Sequence, residues 1–116
     1  MTPPDKPPIV IIYVTTPSPE IARTLAQQAV QMGLAACVNV IGGAESYYVW
    51  DGAPHHATEH VMLFKTAPQH VEKLTQMIID THPHECPCLL TLPIEDGHAP
   101  FMQWIHRQTA VILPPA

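Results

Sequence analysis

The chain has 116 residues, of which 47% are hydrophobic and 13% charged, and its formal net charge is −5. This length suits one domain with one core, and high apolar content with low net charge argues against intrinsic disorder. Only five residues are Lys or Arg, too few for the basic patch that a nucleic-acid surface requires. No apolar run is long enough to span a bilayer, and the first residues lack the pattern of a secretory signal.

Prolines mark both ends of the chain and set the expected domain limits. Residues 1–8 are predicted to form a disordered, proline-rich leader, and residues 111–116 a frayed tail. Residues 9–110 are then expected to form a single domain. The domain opens with the β-branched run from Ile9 to Val14, whose lack of alternation predicts a central strand buried on both faces, or partly so.

The next elements are a helix and a strand with clear local signals. Ser18 as a hydroxyl N-cap, followed by Pro19, predicts a helix over residues 18–32. The residues from Leu34 to Ile41 are again typical of a strand. The glycine pair that follows, Gly42-Gly43, indicates a bend or bulge rather than a definite end of the strand.

An aromatic hairpin is predicted after the glycine pair. The residues from Glu45 to Trp50 favour a strand, Asp51-Gly52 is a strong two-residue turn signal, and the return strand is expected at about Thr58 to Thr66. This ribbon carries three aromatic residues beyond a small core, which makes it a candidate subunit interface: Tyr47, Tyr48 and Trp50. The alternative is that these side chains fold back onto their own sheet.

The last third of the chain completes a β-α-β-β-α-β order with a final helix. Thr66 to Gln69 fits a capping box that would begin a second helix over residues 68–81. A short strand from Leu89 to Leu92 and a third helix from Pro100 to Thr109 follow. Two crossovers joined by a hairpin define a ferredoxin-like α+β sandwich with its first strand at the centre and its helices on one face.

Catalytic and cofactor motifs are absent from the sequence. There is no GxGxxG, Walker A or HExxH pattern, and neither Ser18 nor Ser46 lies in a nucleophile elbow. We therefore expect no enzymatic activity and no organic cofactor. The three cysteines, an odd number, make a poor disulfide framework, which favours a reducing, cytoplasmic setting.

One segment is dense in metal-ligand residue types. Residues 82–88 read HPHECPC, which places four soft or borderline donors at alternate positions: His82, His84, Cys86 and Cys88. Imidazole and thiolate favour copper or zinc over hard cations. The spacing lacks the CxxC pairs of a structural zinc site, and the four donors could share an ion only if the prolines bend the chain. The alternative is a polar segment that merely leads into the last strand.

Taken together, several of these motifs resemble the CutA family, also called divalent-cation-tolerance proteins. The resemblance covers about residues 9–109 and rests on segments spread along the chain: Ile11–Thr16, LAACVN at 34–39, SYYVWDG at 46–52, Phe64-Lys65-Thr66, His82-Pro83, Leu92-Pro93-Ile94 and the closing Phe101 with Trp104-Ile105. It implies a compact homotrimer in which the hairpin pairs with neighbouring subunits. It also implies a role in tolerance of copper or other divalent cations, with copper binding.

The resemblance further suggests a cleft between subunits and a second function. Glu59 and Lys65 match polar family positions near that cleft, and Glu85 matches loosely; ordinary salt bridging would explain them equally well. The architecture is similar to that of the PII signalling proteins, so the alternative function is a module that senses a small anion or metabolite in the cleft. This chain departs from the family pattern at His84 and Cys88, and both departures add soft ligands.

Overall fold

The computed structural model describes residues 5–110 as a four-stranded antiparallel sheet with three α-helices. The elements in chain order are β1 (Val10–Thr16), α1 (Pro19–Gln31), β2 (Cys37–Trp50), β3 (Ala53–Thr66), a 3-10 turn (Pro68–His70) leading into α2 (Val71–Thr81), β4 (Leu89–Pro93) and α3 (Ala99–Gln108). The predicted leader over residues 1–4 and the predicted tail lie outside the described residues. No helix within residues 5–110 is long and apolar enough to cross a membrane.

The strand order confirms the predicted topology. The sheet runs β2-β3-β1-β4, and β1 pairs antiparallel with both β3 and β4. The first strand is therefore central, as the unbroken apolar run predicted. It lies between β3 and β4. This is the α+β arrangement expected of a βαββαβ sandwich.

The core lies between one face of the sheet and the helices α1 and α2. Side chains alternate between the two faces of a strand, so every second residue of β1 and β3 points into this layer. The largest fully buried members from strands and helices are Ile12, Val14, Met62, Phe64, Leu25, Leu74 and Ile78. A smaller cluster of Ile9, Met102 and Ile105 attaches α3. The opposite face of the sheet is not covered by α1 or α2, and we call it the open face.

The hairpin is longer than predicted. Trp50 pairs with Ala53 across the turn, where Asp51 and Gly52 have φ of 51° and 74°. Both residues are thus in the left-handed region that a tight two-residue turn requires, and the strands pair directly from the turn. The return strand therefore begins at Ala53 rather than near Thr58. On β2, the register shifts between Ile41 and Ala44, which confirms a bulge at the glycine pair.

The two helix starts were predicted with unequal success. The Ser18 hydroxyl accepts the Ile21 N–H at 3.2 Å, so the N-cap of α1 is confirmed. The prediction of a capping box at Thr66 is wrong. The Thr66 hydroxyl donates to the Leu34 carbonyl at 2.6 Å instead, and the chain enters α2 through a 3-10 turn with no side-chain cap.

Residues 5–8 lie against α3 and the segment that precedes it. Lys6 Nζ is 2.8 Å from a carboxylate oxygen of Asp96. The Gln103 amide donates to the Asp5 carbonyl at 2.8 Å, and His106 Nε2 donates to the Pro8 carbonyl at 2.6 Å. The second half of the proline-rich leader is therefore held by hydrogen bonds to the last helix.

Candidate functional site

The candidate metal ligands lie on the segment that joins α2 to β4, residues 82–88, which we call the α2–β4 loop. Both of its ends bind one residue of the central strand. The His82 ring donates through Nε2 to the Thr15 carbonyl at 2.7 Å, and the Thr15 N–H donates to the Cys88 carbonyl at 3.3 Å. The loop is thus closed at its base on Thr15, and residues 83–87 extend between these two contacts.

His82 is an integral part of this closure. Its side chain is 7% exposed, and its Nδ1 accepts the backbone N–H of His84 at 3.1 Å. A carbonyl can only accept and a backbone N–H can only donate, so these two contacts assign the donor role to Nε2 and the acceptor role to Nδ1. Both ring nitrogens are occupied, and His82 could bind a metal only after losing one of these hydrogen bonds.

The other three candidate ligands are exposed. His84 lies beside His82, with ring centroids 5.0 Å apart, and Cys86 and Cys88 are free thiols on the surface. No group of three or more His, Cys, Asp or Glu side chains within residues 5–110 is arranged to hold a metal ion. The structure therefore brings three reachable soft donors onto one short loop without converging them on a point.

The three cleft residues are not brought together within one chain. Glu59 and Lys65 lie on the open face of β3, six residues apart, which is about 20 Å along a strand. Glu59 is 9% exposed, whereas the Lys65 ammonium lies 5.7 Å above the Phe101 ring and 4.0 Å from the Cys37 sulfur. Within residues 5–110 the one salt bridge is between Lys6 and Asp96, so neither group has a charged partner there. Glu85 is exposed on the α2–β4 loop.

The open face carries an apolar surface. The register aligns Tyr13 between Leu63 and Leu90, and Ile11 next to Leu92, all on the side away from α1 and α2. Leu90 and Leu92 are 57% and 42% exposed. A protomer with this face uncovered leaves large apolar side chains in water, which is typical of an interaction surface.

The aromatic ribbon at the hairpin is equally uncovered. Tyr47 is 74% exposed and Trp50 50%, so these side chains do not fold back onto their own sheet. Two histidines lie across the hairpin from these side chains: the Tyr47 and His56 rings stack at 5.8 Å, and the Tyr48 and His55 rings at 5.7 Å. The two-residue turn could have revealed these pairs, because it fixes which residues face each other.

The fold and these surfaces define a small α+β protein with one open sheet face and a projecting hairpin, and comparison with known proteins identifies its family. The sequence profile described as "CutA1 divalent ion tolerance protein" matches residues 10–108. The chain belongs to this family, which confirms the resemblance seen in the sequence.

Individual relatives agree with the family assignment. The divalent-cation tolerance protein CutA of Thermus thermophilus is 35% identical over 99 residues, which cover 85% of this chain and 96% of the relative. The chloroplastic CutA of Arabidopsis thaliana is 35% identical over 102 residues, which cover 88% of this chain. The chain spans 56% of the length of that plant relative and 55% of the mouse protein CutA.

Solved structures of the family share the whole fold. CutA1 from Oryza sativa superimposes with a TM-score of 0.84 at 31% identity, covering 90% of this chain and 95% of that one. The periplasmic divalent cation tolerance protein CutA of Archaeoglobus fulgidus gives 0.83 at 33% identity, covering 87% and 98%. The helices, the sheet and the long hairpin described above are therefore those of the family.

Proposed function

We propose that this protein acts in tolerance of divalent metal cations by binding copper, as a homotrimer and without catalysis. Membership of the CutA1 family supports the role in cation tolerance. The observation that carries the copper proposal is the α2–β4 loop, which exposes one imidazole and two free thiols within five residues. Copper prefers such nitrogen and sulfur donors to the oxygen donors that hard cations require.

The proposed ligands are His84, Cys86 and Cys88. His82 belongs to the same histidine- and cysteine-rich motif, but its ring closes the loop on Thr15, so it joins the ligand set only if that contact opens. Within residues 5–110, the ring of His84 and the sulfur atoms of Cys86 and Cys88 make no hydrogen bond. Binding of an ion by these three donors therefore need not break the hydrogen bond between His82 and Thr15.

Copper titration tests this site directly. The reduced protein is titrated with Cu(I) under anaerobic conditions against a chromophoric Cu(I) chelator, beside the double variant Cys86→Ser/Cys88→Ser. We expect the double variant to lose at least tenfold in affinity, because thiolate ligands dominate soft-metal binding. Cys37→Ser is the matched control, since Cys37 is a free thiol in β2 outside the loop. Equal affinity of wild type and double variant would refute a thiolate site.

The trimer is proposed from the surfaces that a single chain leaves uncovered. The open face and the aromatic ribbon together expose more large apolar side chains than a stable monomer of this size would be expected to carry. Sedimentation at micromolar concentration should show a species three times the 12.8-kDa protomer. The variant Tyr47→Ser/Trp50→Ser should shift this species toward monomer, and Arg23→Ser on α1 should not. A stable wild-type monomer would remove the proposal.

We also propose a cytoplasmic location, because the three cysteines are free and do not form a disulfide framework. Relatives include proteins described as chloroplastic and periplasmic. Fractionation of cells that express the full chain tests the location, and recovery in a membrane or exported fraction would count against it.

A second candidate function is supported by Lys65. Its ammonium lies against Phe101 with no carboxylate partner within residues 5–110, so it could bind an anion in a PII-like cleft. Thermal-shift measurements with inorganic phosphate and ATP test this function. A saturable increase in melting temperature that is lost in Lys65→Met, and kept in the exposed control Lys73→Met, would favour it. No shift with any of these anions would count against an anion sensor.

A further inference from the structure

The two thiols of the α2–β4 loop are close enough in the chain to react with each other. Cys86 and Cys88 are separated by Pro87 alone, and both are exposed and free. Consecutive Cα atoms are about 3.8 Å apart, and two such steps span about 6 Å in a polyproline conformation. A disulfide needs Cα atoms roughly 4.4–6.8 Å apart. The pair therefore meets the chain-geometry requirement for a bridge.

The hydrogen bonds that hold the α2–β4 loop do not involve the two thiols. The loop is closed on Thr15 by the His82 ring and by the Cys88 carbonyl, and neither contact uses a sulfur atom. Residues 83–88 belong to no helix or strand, so the two side chains can rotate toward each other without breaking a backbone ladder. A bridge would therefore consume neither of the hydrogen bonds that close the loop on Thr15.

The third cysteine is not a competing partner. Cys37 lies on β2, at the far edge of the sheet from β4, and pairs opposite Lys65. Cys88 lies three strands away across the sheet and four residues further along it. The distance between the two cysteines is therefore about 20 Å. Any disulfide within one chain must therefore join Cys86 to Cys88.

We propose that Cys86 and Cys88 form a peroxide-sensitive dithiol, and that closing it switches off metal binding by the loop. One deprotonated sulfur attacks hydrogen peroxide, gains one oxygen as a sulfenic acid and releases hydroxide. The second thiol then displaces that oxygen as water and forms the S–S bond. In total two thiols and one peroxide give one disulfide and two waters, with the sulfurs oxidised and the peroxide reduced. The bridge closes a small ring, so its strain makes it readily reducible by cellular thiols.

The dithiol chemistry is tested without copper. The full-length variant Cys37→Ser is reduced, treated with one equivalent of hydrogen peroxide and analysed by intact mass and thiol counting. We expect a loss of about 2 Da and of both thiols, with the mass of a single chain, and full recovery with dithiothreitol. Cys37→Ser/Cys86→Ser and Cys37→Ser/Cys88→Ser are the matched controls and should not lose this mass. Sulfinic acid, or a disulfide between chains, as the main product would overturn the proposal.

The switch itself rests on the copper site proposed above and has its own readout. The bridged and reduced forms of the Cys37→Ser protein are compared in the Cu(I) competition titration. We expect the bridged form to bind at least tenfold more weakly, because both sulfur ligands are consumed. Equal affinity would refute the switch while leaving the dithiol intact. If the reduced protein binds no Cu(I), the copper site and the switch fail together, whereas the mass measurement still decides the dithiol.

Discussion

His82 is the side chain whose removal should damage the α2–β4 loop most. The substitution His82→Ala leaves the Thr15 carbonyl without its hydrogen-bond donor. Both residues are buried, and each is only 7% exposed. An unsatisfied buried acceptor costs about 1–3 kcal/mol. Loss of the ring's own packing adds to this, whereas the freed N–H of His84 can bind water because His84 is exposed. We expect the free energy of unfolding to fall by about 2–3 kcal/mol.

Urea unfolding measures this loss. Wild type and variants must be compared at one protomer concentration, because association would add to the apparent stability. His84→Ala is the matched control two residues away, and it should change the free energy of unfolding by less than about 0.5 kcal/mol because its ring is exposed. His82→Gln keeps an amide donor and should fall between the two. The reasoning fails if His82→Ala unfolds like wild type, or if His84→Ala costs as much.

Three further substitutions test other parts of the fold. Phe64→Ala empties a fully buried site on β3 and should lower the free energy of unfolding by about 3–5 kcal/mol in urea; a loss under about 1 kcal/mol would contradict the assigned core. Ser18→Ala removes the N-cap of α1 and should cost about 1 kcal/mol, whereas an unchanged midpoint would argue against the hydrogen bond to Ile21. Burial, and to a lesser extent the nearby His106, lower the pKa of His70 in the folded protein. The unfolded chain therefore binds the proton first, and the free energy of unfolding falls as the pH drops below about 6.5, the ordinary pKa of histidine. His70→Gln should therefore flatten the loss of stability between about pH 7 and 5, and identical slopes for wild type and His70→Gln would contradict the prediction.

Local signals explain why most of the fold could be predicted. The N-cap at Ser18 and the stop at Gly33, which has a φ of 68°, act within one helical turn, so their residue types are sufficient to place α1. The central position of β1 follows from its continuous apolar run. Each of these features depends on neighbours in the chain, which is the information that a single sequence contains.

Features that depend on distant residues were missed. The Thr66 hydroxyl could cap a helix or bind a backbone carbonyl, and it binds Leu34, which the fold brings near from 32 residues away. His82 has the residue type of a ligand, and only the approach of Thr15, 67 residues away in sequence, shows that it closes the loop. The first residues of β3, Ala53 to Thr58, contain a proline and two histidines and lack the pattern of a strand; they pair because the adjacent turn at Asp51 imposes the register.

The open face accounts for part of the high apolar content of the chain. A sheet covered by helices on one side needs apolar residues on one face of each strand, yet β1 and β4 are apolar on both. Residues such as Leu90 and Leu92 add nothing to the core of a single protomer and would favour aggregation if they stayed in water. Low charge and high apolar content are therefore consistent with the homotrimer proposed above. On that proposal, ribbon variants that no longer associate should also be less soluble than wild type, because Leu90 and Leu92 would then stay in water.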